Sequence, residues 1–215
     1  MDLTDVAAVL FDMDGTLVNS DAAVERAWTT WAREYDVDVD PATLHGRPAD
    51  DTVRSLRPDL DDAAVEAAAA HQLDLQYEDL ADVVPTTGAL DLLAGLDLPW
   101  AIVTSADVRL AKARLGAVGI TAPVLVTVDD ITRGKPDPEG YLLAARLLGV
   151  APGRCLVVED APAGVAAGRA AGARVAALKG VEGDVSIADL TELAALISGA
   201  AGTCTPSTPP PAPPR

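Results

Sequence analysis

Two aspartates, Asp12 and Asp14, follow directly on an apolar run, Val6–Phe11, near the start of the chain. A continuous apolar run of this length predicts a buried strand of a parallel sheet. In open α/β sheets, ligands bind outside the carboxyl ends of the strands, where these two carboxylates would lie. Because neighbouring carboxylates repel each other unless a cation neutralises them, the pair indicates a Mg²⁺ site. One carboxylate would also be free to attack an electrophile.

Further polar side chains stand where other predicted strands end. Thr104 and Ser105 lie at the end of the second predicted strand, and Glu159 and Asp160 follow the fourth. Lys135 lies in a Gly-Lys-Pro-Asp-Pro segment just before a predicted helix. The two prolines restrict the backbone there, which suits a lysine that must hold one position.

Each of these groups, taken singly, also has a purely structural interpretation: a turn, a helix N-cap, a solvated surface charge or a pair of loop acids. Their joint occurrence favours a catalytic interpretation, because four coincidences at one edge of a sheet would otherwise be needed. Asp129 and Asp130 follow the third predicted strand. We interpret these two aspartates as loop or capping residues.

The elements that must position these groups alternate between strand and helix. The predicted strands are Val6–Phe11, Trp100–Thr104, Val124–Val128, Cys155–Val158 and Arg174–Leu178. The predicted helices between them are Ala89–Leu96, Leu110–Val118, Glu139–Leu148 and Gly164–Ala171. Such alternation predicts an α/β fold with a doubly wound, Rossmann-like parallel sheet.

One segment, residues 19–84, breaks this alternation. Apolar residues recur there at helical spacing, with Trp28 and Trp31 in one pattern and Val65 and Ala69 in another, and no strand is predicted. We therefore predict a helical cap over residues 19–84, inserted into an α/β core of residues 1–18 and 85–199. Residues 200–215 are rich in proline and are predicted to be a disordered tail.

Composition limits the partners. The chain has 215 residues and a formal net charge of −17, which disfavours nucleic acid and anionic membrane surfaces. An anionic substrate would therefore need a metal ion and local cations in its site. A disulfide between Cys155 and Cys204 is not expected, and no signal peptide or membrane-spanning run is predicted. These features predict a cytoplasmic protein.

Together the motifs resemble those of the haloacid dehalogenase superfamily, in the order that this superfamily has them. The matching residues are Asp12-Met13-Asp14-Gly15-Thr16 for the first motif, Thr104 for the second, Lys135 for the third and Glu159-Asp160 for the fourth. The resemblance extends from about Val6 to Leu178.

This resemblance implies a Mg²⁺-dependent hydrolysis of phosphate esters. Asp12 would be the nucleophile that forms an aspartyl phosphate, and Asp14 would be the general acid and base. The implied metal ligands are a carboxylate oxygen of Asp12, the backbone carbonyl of Asp14, and Asp160, with Glu159 close by. The implied phosphate-binding residues are Thr104, Ser105 and Lys135.

The second acid, Asp14, points to phosphomonoesterases and phosphomutases within the superfamily. The insert resembles a C1-type cap, and several stretches resemble sugar-phosphate and glycerol-phosphate phosphatases. We expect His45 and Arg47 in the cap to reach into the site and bind substrate; the alternative is a surface turn. A small phosphate ester is the expected partner, and the chain is expected to be a monomer or a weak homodimer.

Two other functions are considered. The first is a β-phosphoglucomutase-like mutase, but Val24 occupies the position where that branch has a cap-hinge histidine. The second is a catalytically silent binding module. That function is disfavoured because every motif residue is present.

Overall fold

Six parallel strands form the central sheet of the computed structural model, which describes residues 3–44, 48–78 and 80–201. The strands are β1 (Ala8–Phe11), β4 (Trp100–Val103), β5 (Leu125–Val126), β6 (Cys155–Glu159), β7 (Arg174–Ala177) and β8 (Val185–Ser186). Their order in the sheet is β5-β4-β1-β6-β7-β8, and each neighbouring pair is parallel. The predicted α/β fold with a parallel sheet is confirmed.

The first strand, β1, lies in the middle of this sheet and is buried along its whole length. Successive side chains of a strand point to opposite faces. Val9 and Phe11 accordingly pack into one hydrophobic cluster, and Ala8 and Leu10 pack into a second cluster. Apolar side chains are needed on both faces, which explains why the strand is a continuous apolar run.

Helices connect the strands of the sheet. They are α4 (Ala89–Gly95), α5 (Val108–Ala117), α6 (Glu139–Leu148), α7 (Pro162–Ala170) and α8 (Leu190–Ala201). The first four confirm predicted helices, with boundaries shifted by at most two residues. Gly149, with a φ of 69°, ends α6 in the left-handed conformation that glycine favours.

Two elements of the sheet layer were not predicted: β8 and α8. Strand β8 has only two residues, so it carries no apolar run to detect. Helix α8 packs Leu190 and Leu193 into the core. It ends at Ala201 and therefore includes the first two residues of the predicted tail, which starts at residue 200. The remainder of that predicted tail, residues 202–215 with Cys204, lies outside the described residues.

Three further helices form a separate hydrophobic cluster. They are α1 (Asp21–Glu34), α2 (Ala49–Leu56) and α3 (Asp62–Glu78), with a 3-10 turn at Pro41–Leu44. Trp28 and Trp31 of α1 pack edge to face at 5.4 Å. The indole N–H of Trp31 donates to the carbonyl of Ala68 in α3, at 2.9 Å. The cluster joins the three helices into one helical layer.

Two short strands connect the helical layer to the sheet. Strand β2 (Val18–Asn19) pairs antiparallel with β3 (Val84–Pro85). The prediction that no strand occurs in residues 19–84 was therefore wrong at both ends of that segment. A two-residue pairing depends on where its partner lies, and no local pattern announces it. Among the described residues, no helix has the length and apolar character to cross a membrane.

Candidate active site

The site lies where the order of the sheet reverses. Strand β1 pairs with β4 on one side and with β6 on the other. Side chains that follow these strands therefore meet in the crevice at a topological switch point, where ligands bind in open α/β sheets. Asp12 follows β1 directly, and its backbone N–H donates to the carbonyl of Val158 in β6, at 2.9 Å.

Lys135 binds two of the carboxylates at this edge. Its Nζ lies 2.5 Å from Asp12 Oδ1 and 2.7 Å from Glu159 Oε1, and it also donates to the carbonyl of Val103 at 3.1 Å. Burial lowers the pKa of Lys135, but the charges of Asp12 and Glu159 outweigh it and hold that pKa above its ordinary value. The ammonium group therefore stays charged and neutralises part of the acidic site.

Asp12 is 7% exposed. Burial raises the pKa of its carboxyl well above the ordinary value, although the charge of Lys135 opposes this, and the nearby carboxylates Glu159 and Asp160 raise it further. The carboxylate is thus crowded by like charges and poorly solvated, so a cation at this edge would favour its ionised form.

Glu159 is the last residue of β6 and is 1% exposed. Its Oε1 accepts a hydrogen bond from the hydroxyl of Tyr141 at 2.6 Å, and its Oε2 accepts from the backbone N–H groups of Asp160 and Ala161. A Cβ on Gly164 of α7 would collide with the Glu159 carboxylate. The absence of a side chain at residue 164 is therefore what lets α7 begin beside this acid.

Asp160 forms an ion pair with Lys179, whose Nζ lies 3.1 Å from Asp160 Oδ2 and 2.8 Å from Asp21 Oδ2. Burial raises the pKa of Asp160 to about 6; Lys179 lowers it and Glu159 raises it. Gly15, at a φ of 81°, leaves room for Asp160, because a Cβ there would collide with its carboxylate. The turn after Asp14 and the acid after β6 therefore fit against each other.

Asp12, Glu159 and Asp160 each offer a carboxylate oxygen, and these oxygens all lie within 4.8 Å of one another. Three hard oxygen donors of this kind are the ligands that Mg²⁺ prefers. Burial and the neighbouring carboxylates raise the pKa of Asp12 and of Asp160 above the ordinary value, although Lys135 and Lys179 lower it. The residues therefore fit a divalent cation. The predicted role of the Asp14 backbone carbonyl as a ligand stays a prediction.

Asp14 lies at the same edge, but its side chain has other partners. Its Oδ1 accepts from the hydroxyl of Ser20 at 2.6 Å, and its Oδ2 lies 2.8 Å from Nη1 of Arg114. The carboxylate is thus held between the start of the helical layer and helix α5, and it lines the same cavity as Asp12.

Thr104 and Ser105 also line this cavity. Thr104 follows β4 and is 3% exposed, and its Oγ1 accepts from the backbone N–H of Ala106 at 3.0 Å. The residue that caps α5 is Asp107, which accepts from the N–H of Leu110 at 2.8 Å. Thr104 and Ser105 are therefore not needed as the cap of that helix.

Asp129 and Asp130 are loop and capping residues, as predicted. Asp130 Oδ2 accepts from the backbone N–H and the hydroxyl of Thr127, and Asp129 Oδ2 accepts from the N–H of Val108 at 2.8 Å. His45 and Arg47, which we predicted to reach into the site, lie outside the described residues.

The cavity at this edge has a volume of about 440 Å³ and lies between the sheet and the helical layer. Seven of its polar residues were not predicted from the sequence: Ser20, Asp21, Glu25, Gln72, Gln76, Arg114 and Lys179. Lys179 follows the end of β7, so the strand-end argument that found the acids could have found it. Arg114 lies four residues after Leu110 on the buried side of α5, where an arginine is unusual.

A model of the haloacid dehalogenase-like hydrolase family matches residues 6–172. The chain belongs to this family. The matched segment contains Asp12, Lys135 and Asp160, the residues around which the cavity edge is built.

Related proteins include hexitol phosphatase A of Escherichia coli (strain K12), which is 43% identical over 175 residues covering 79% of this chain and 81% of that protein. The 2-deoxyglucose-6-phosphate phosphatase 1 of Saccharomyces cerevisiae is 38% identical over 189 residues, covering 76% of each chain. A crystal structure of β-phosphoglucomutase from Clostridium difficile has a TM-score of 0.79, covering 87% of this chain and 93% of that one. At 19% identity, that likeness shows the fold alone.

Proposed function

We propose that this haloacid dehalogenase-like hydrolase is a Mg²⁺-dependent phosphomonoesterase that acts on small sugar or polyol phosphates. The observation that carries the proposal is the cluster at the switch point, where Asp12 lies beside Lys135 and within reach of two further carboxylates. The relatives named as a hexitol phosphatase and a deoxyhexose-phosphate phosphatase support the substrate class.

In the proposed reaction, the carboxylate of Asp12 attacks phosphorus and the bond from phosphorus to the alcohol oxygen breaks. Asp14 gives its proton to the departing alcohol. A water molecule then attacks the aspartyl phosphate, and Asp14 takes a proton from it. Inorganic phosphate leaves and Asp12 is regenerated. Thr104, Ser105 and Lys135 are proposed to hold the phosphoryl oxygens, because they line the cavity around Asp12.

Asp12, Asp160 and Glu159 are the side chains that would hold Mg²⁺, together with the backbone carbonyl of Asp14. The ion would supply positive charge next to the transferring phosphoryl group, which phosphoryl transfer requires. Lys135 adds a second positive charge from the protein itself. This local charge answers the problem that a net charge of −17 poses for an anionic substrate.

Residues 19–84 are proposed to act as a cap over the cavity, and residues 1–18 with 85–199 as the core. Two observations support this role: the helices of the cap share their own hydrophobic cluster, and β2 and β3 connect them to the core.

The proposal includes a monomer or weak homodimer, a small phosphate ester as partner, and a cytoplasmic location. The buried free thiol of Cys155 is compatible with that location.

A phosphomutase is the alternative function. The mutase branch has a cap-hinge histidine at the position of Val24, which lines the cavity of this chain. Because a valine side chain neither gives nor takes a proton, this residue favours hydrolysis over transfer to a second hydroxyl.

The test is an assay of purified protein with Mg²⁺ on a panel of phosphate esters that includes a hexitol phosphate and a hexose 6-phosphate. We expect inorganic phosphate in equal amount to the alcohol. A parallel incubation with a hexose 1-phosphate, primed by a hexose bisphosphate, would yield an isomerised hexose phosphate if the chain were a mutase. Isomerisation without net phosphate release would overturn the proposal, as would a lack of reaction with every ester.

A further inference from the structure

Three polar side chains that the proposed phosphate chemistry does not use line the same cavity. Gln72 and Gln76 come from α3, and Arg114 comes from α5. Their exposed fractions are 0%, 8% and 2%, respectively. The two glutamines are four residues apart in the helix and therefore lie on one face of it. We call these three residues the alcohol end of the cavity.

Hydrogen bonds connect the alcohol end into one chain. Gln76 Nε2 donates to Gln72 Oε1 at 2.7 Å, and Arg114 Nη2 donates to Gln76 Oε1 at 2.6 Å. Arg114 Nη1 in turn lies 2.8 Å from Asp14 Oδ2. The chain of contacts therefore starts at the proposed general acid and ends in the helical layer.

Two hydrogen-bond donors of this network have no acceptor among the described residues. Gln72 Nε2 and Arg114 Nε are buried, and neither has a hydrogen-bond partner within the part of the chain that the structure describes. Buried donors without partners are rare in folded proteins because they lose their hydrogen bonds to water. Both donors belong to residues that line the cavity. The two atoms are themselves covered, so a ligand with acceptor oxygens would satisfy them once these side chains turn toward it.

The charges around the cavity favour a neutral ligand portion here. In the described lining, each cationic side chain already has a carboxylate beside it. The pairs are Lys135 with Asp12, Lys179 with Asp160, and Arg114 with Asp14. A second phosphate or a carboxylate on the substrate would find no surplus positive charge there, whereas hydroxyl groups need none.

We propose that Gln72, Gln76 and Arg114 bind the hydroxyl groups of the departing alcohol, and that they select phosphate esters of neutral, polyhydroxylated alcohols over plain alkyl phosphates. This inference rests on the proposed phosphatase function and names its substrate class more closely. A hydroxyl group both donates and accepts, as does a glutamine amide. A site built for such hydrogen bonds discriminates against an analogue without hydroxyls, because its buried donors then stay unpaired.

The test compares two esters of the same carbon number, a hexitol 6-phosphate and hexyl phosphate, with nitrophenyl phosphate as a reference. In Gln72→Met, we expect kcat/KM for the hexitol phosphate to fall by about ten- to a hundredfold. The value for hexyl phosphate should stay within about twofold, because that ester never used the missing donor. Free hexitol should also inhibit nitrophenyl phosphate hydrolysis more weakly in this variant than in the wild type.

Arg109→Met is the matched control. Arg109 also belongs to α5 and contacts α3, since its guanidinium lies 3.9 Å from the ring centre of Tyr77, but the side chain is exposed and does not line the cavity. This variant loses a contact between the same two helices without touching the alcohol end. Its preference for the hexitol ester over the hexyl ester should equal that of the wild type.

Arg114→Lys provides a second measurement if Gln72→Met shows no cooperative thermal unfolding. It keeps a positive charge beside Asp14 but loses the planar fork that also reaches Gln76. Equal losses on both esters in a folded variant would overturn the inference, as would a wild-type preference for hexyl phosphate. In either of these cases the phosphatase function would still stand if the wild type hydrolysed nitrophenyl phosphate and Asp12→Asn abolished that hydrolysis. Failure of the wild type on all three esters would overturn both.

Discussion

The two ends of the cavity are built by different means. The phosphate end, which we define as Asp12, Lys135, Glu159 and Asp160, consists of charged groups at the carboxyl ends of β1 and β6 or shortly before α6. The alcohol end consists of three side chains from the C-terminal halves of two helices. The positions of the strands place the phosphate end, whereas the packing of α3 against α5 places the alcohol end.

This difference determines how freely the residues at each end of the cavity could be substituted. The charges of the phosphate end are held by adjacent, hydrogen-bonded strands and by close packing of Gly15 and Gly164 against two of the acids. The hydrogen bond between Arg114 and Gln76 joins residues 38 positions apart on α5 and α3, across the boundary between the sheet and the helical layer. We infer that the reaction common to all esters depends on the phosphate end and that substrate choice depends on the alcohol end.

The largest effect is expected for Asp12→Asn. Hydrolysis of every ester should fall by at least about a thousandfold, because the amide is a poor nucleophile. Rates measured on the hexitol, hexyl and nitrophenyl phosphates would check this, with Asp129→Asn as the control at another strand end. The control should behave like the wild type. If Asp12→Asn lost activity on only one of the three esters, the phosphate end would not serve all substrates alike, and the division between the phosphate end and the alcohol end would be wrong.

Removal of the metal should also stop turnover on all esters. We expect EDTA to abolish activity and Mg²⁺ to restore it, while Ca²⁺ inhibits because its larger and looser coordination misplaces the reacting groups. Saturating Mg²⁺, at about a hundred times its Kd, should stabilise the fold by about 2.7 kcal/mol and raise Tm by roughly 5–10 °C. Full activity in the chelator would contradict the proposed site.

The metal effect should depend on pH. The folded protein holds a proton on Asp160 up to a pKa of about 6, while an unfolded aspartate has released it above about pH 4. Without metal, this group's contribution to stability therefore falls as the pH rises through that interval. Since Mg²⁺ must displace the proton, its increase in Tm should be larger at pH 7.5 than at pH 5.5. Calorimetry at both pH values on the wild type and on Asp160→Asn would check this, and an equal Mg²⁺ effect on the wild type at the two pH values would contradict it.

A smaller effect is expected for Gly164→Ala. The added Cβ would collide with the carboxylate of Glu159, and such overpacking costs about 1–3 kcal/mol of unfolding free energy. Gly116→Ala is the matched control, because this helical glycine of α5 has open space where the Cβ would lie. The control should stabilise the protein by about 0.5–1 kcal/mol. Denaturant unfolding that gave both variants the same sign would show that packing around Glu159 is loose.

The smallest effect is expected from removal of residues 202–215, after the end of α8. A segment of this composition buries little apolar surface, so neither the melting temperature nor the rate on any ester should change. Truncation that altered activity on the hexitol ester alone would instead connect this segment to the alcohol end.

The amino-acid sequence by itself determined five of the six strands of the sheet and the phosphate end. The apolar run before Asp12 predicted a central strand, and the parallel arrangement then brought the groups after β1, β4 and β6 to one edge. Such strand-end groups are predictable because the carboxyl ends of parallel strands lie at the same edge of the sheet, independently of side-chain conformation. Helices α4 to α7 were predictable for a similar reason, since their apolar spacing is local.

Only the tertiary structure decided the alcohol end and the short elements. Gln72 and Gln76 lie in the same helix as apolar core residues, and nothing in their spacing says that Arg114 will meet them. The pairing of β2 with β3 brings residues 18–19 and 84–85 together without any apolar run. Contacts of this kind depend on where two distant segments come to lie, and that is set by the packing of the whole chain.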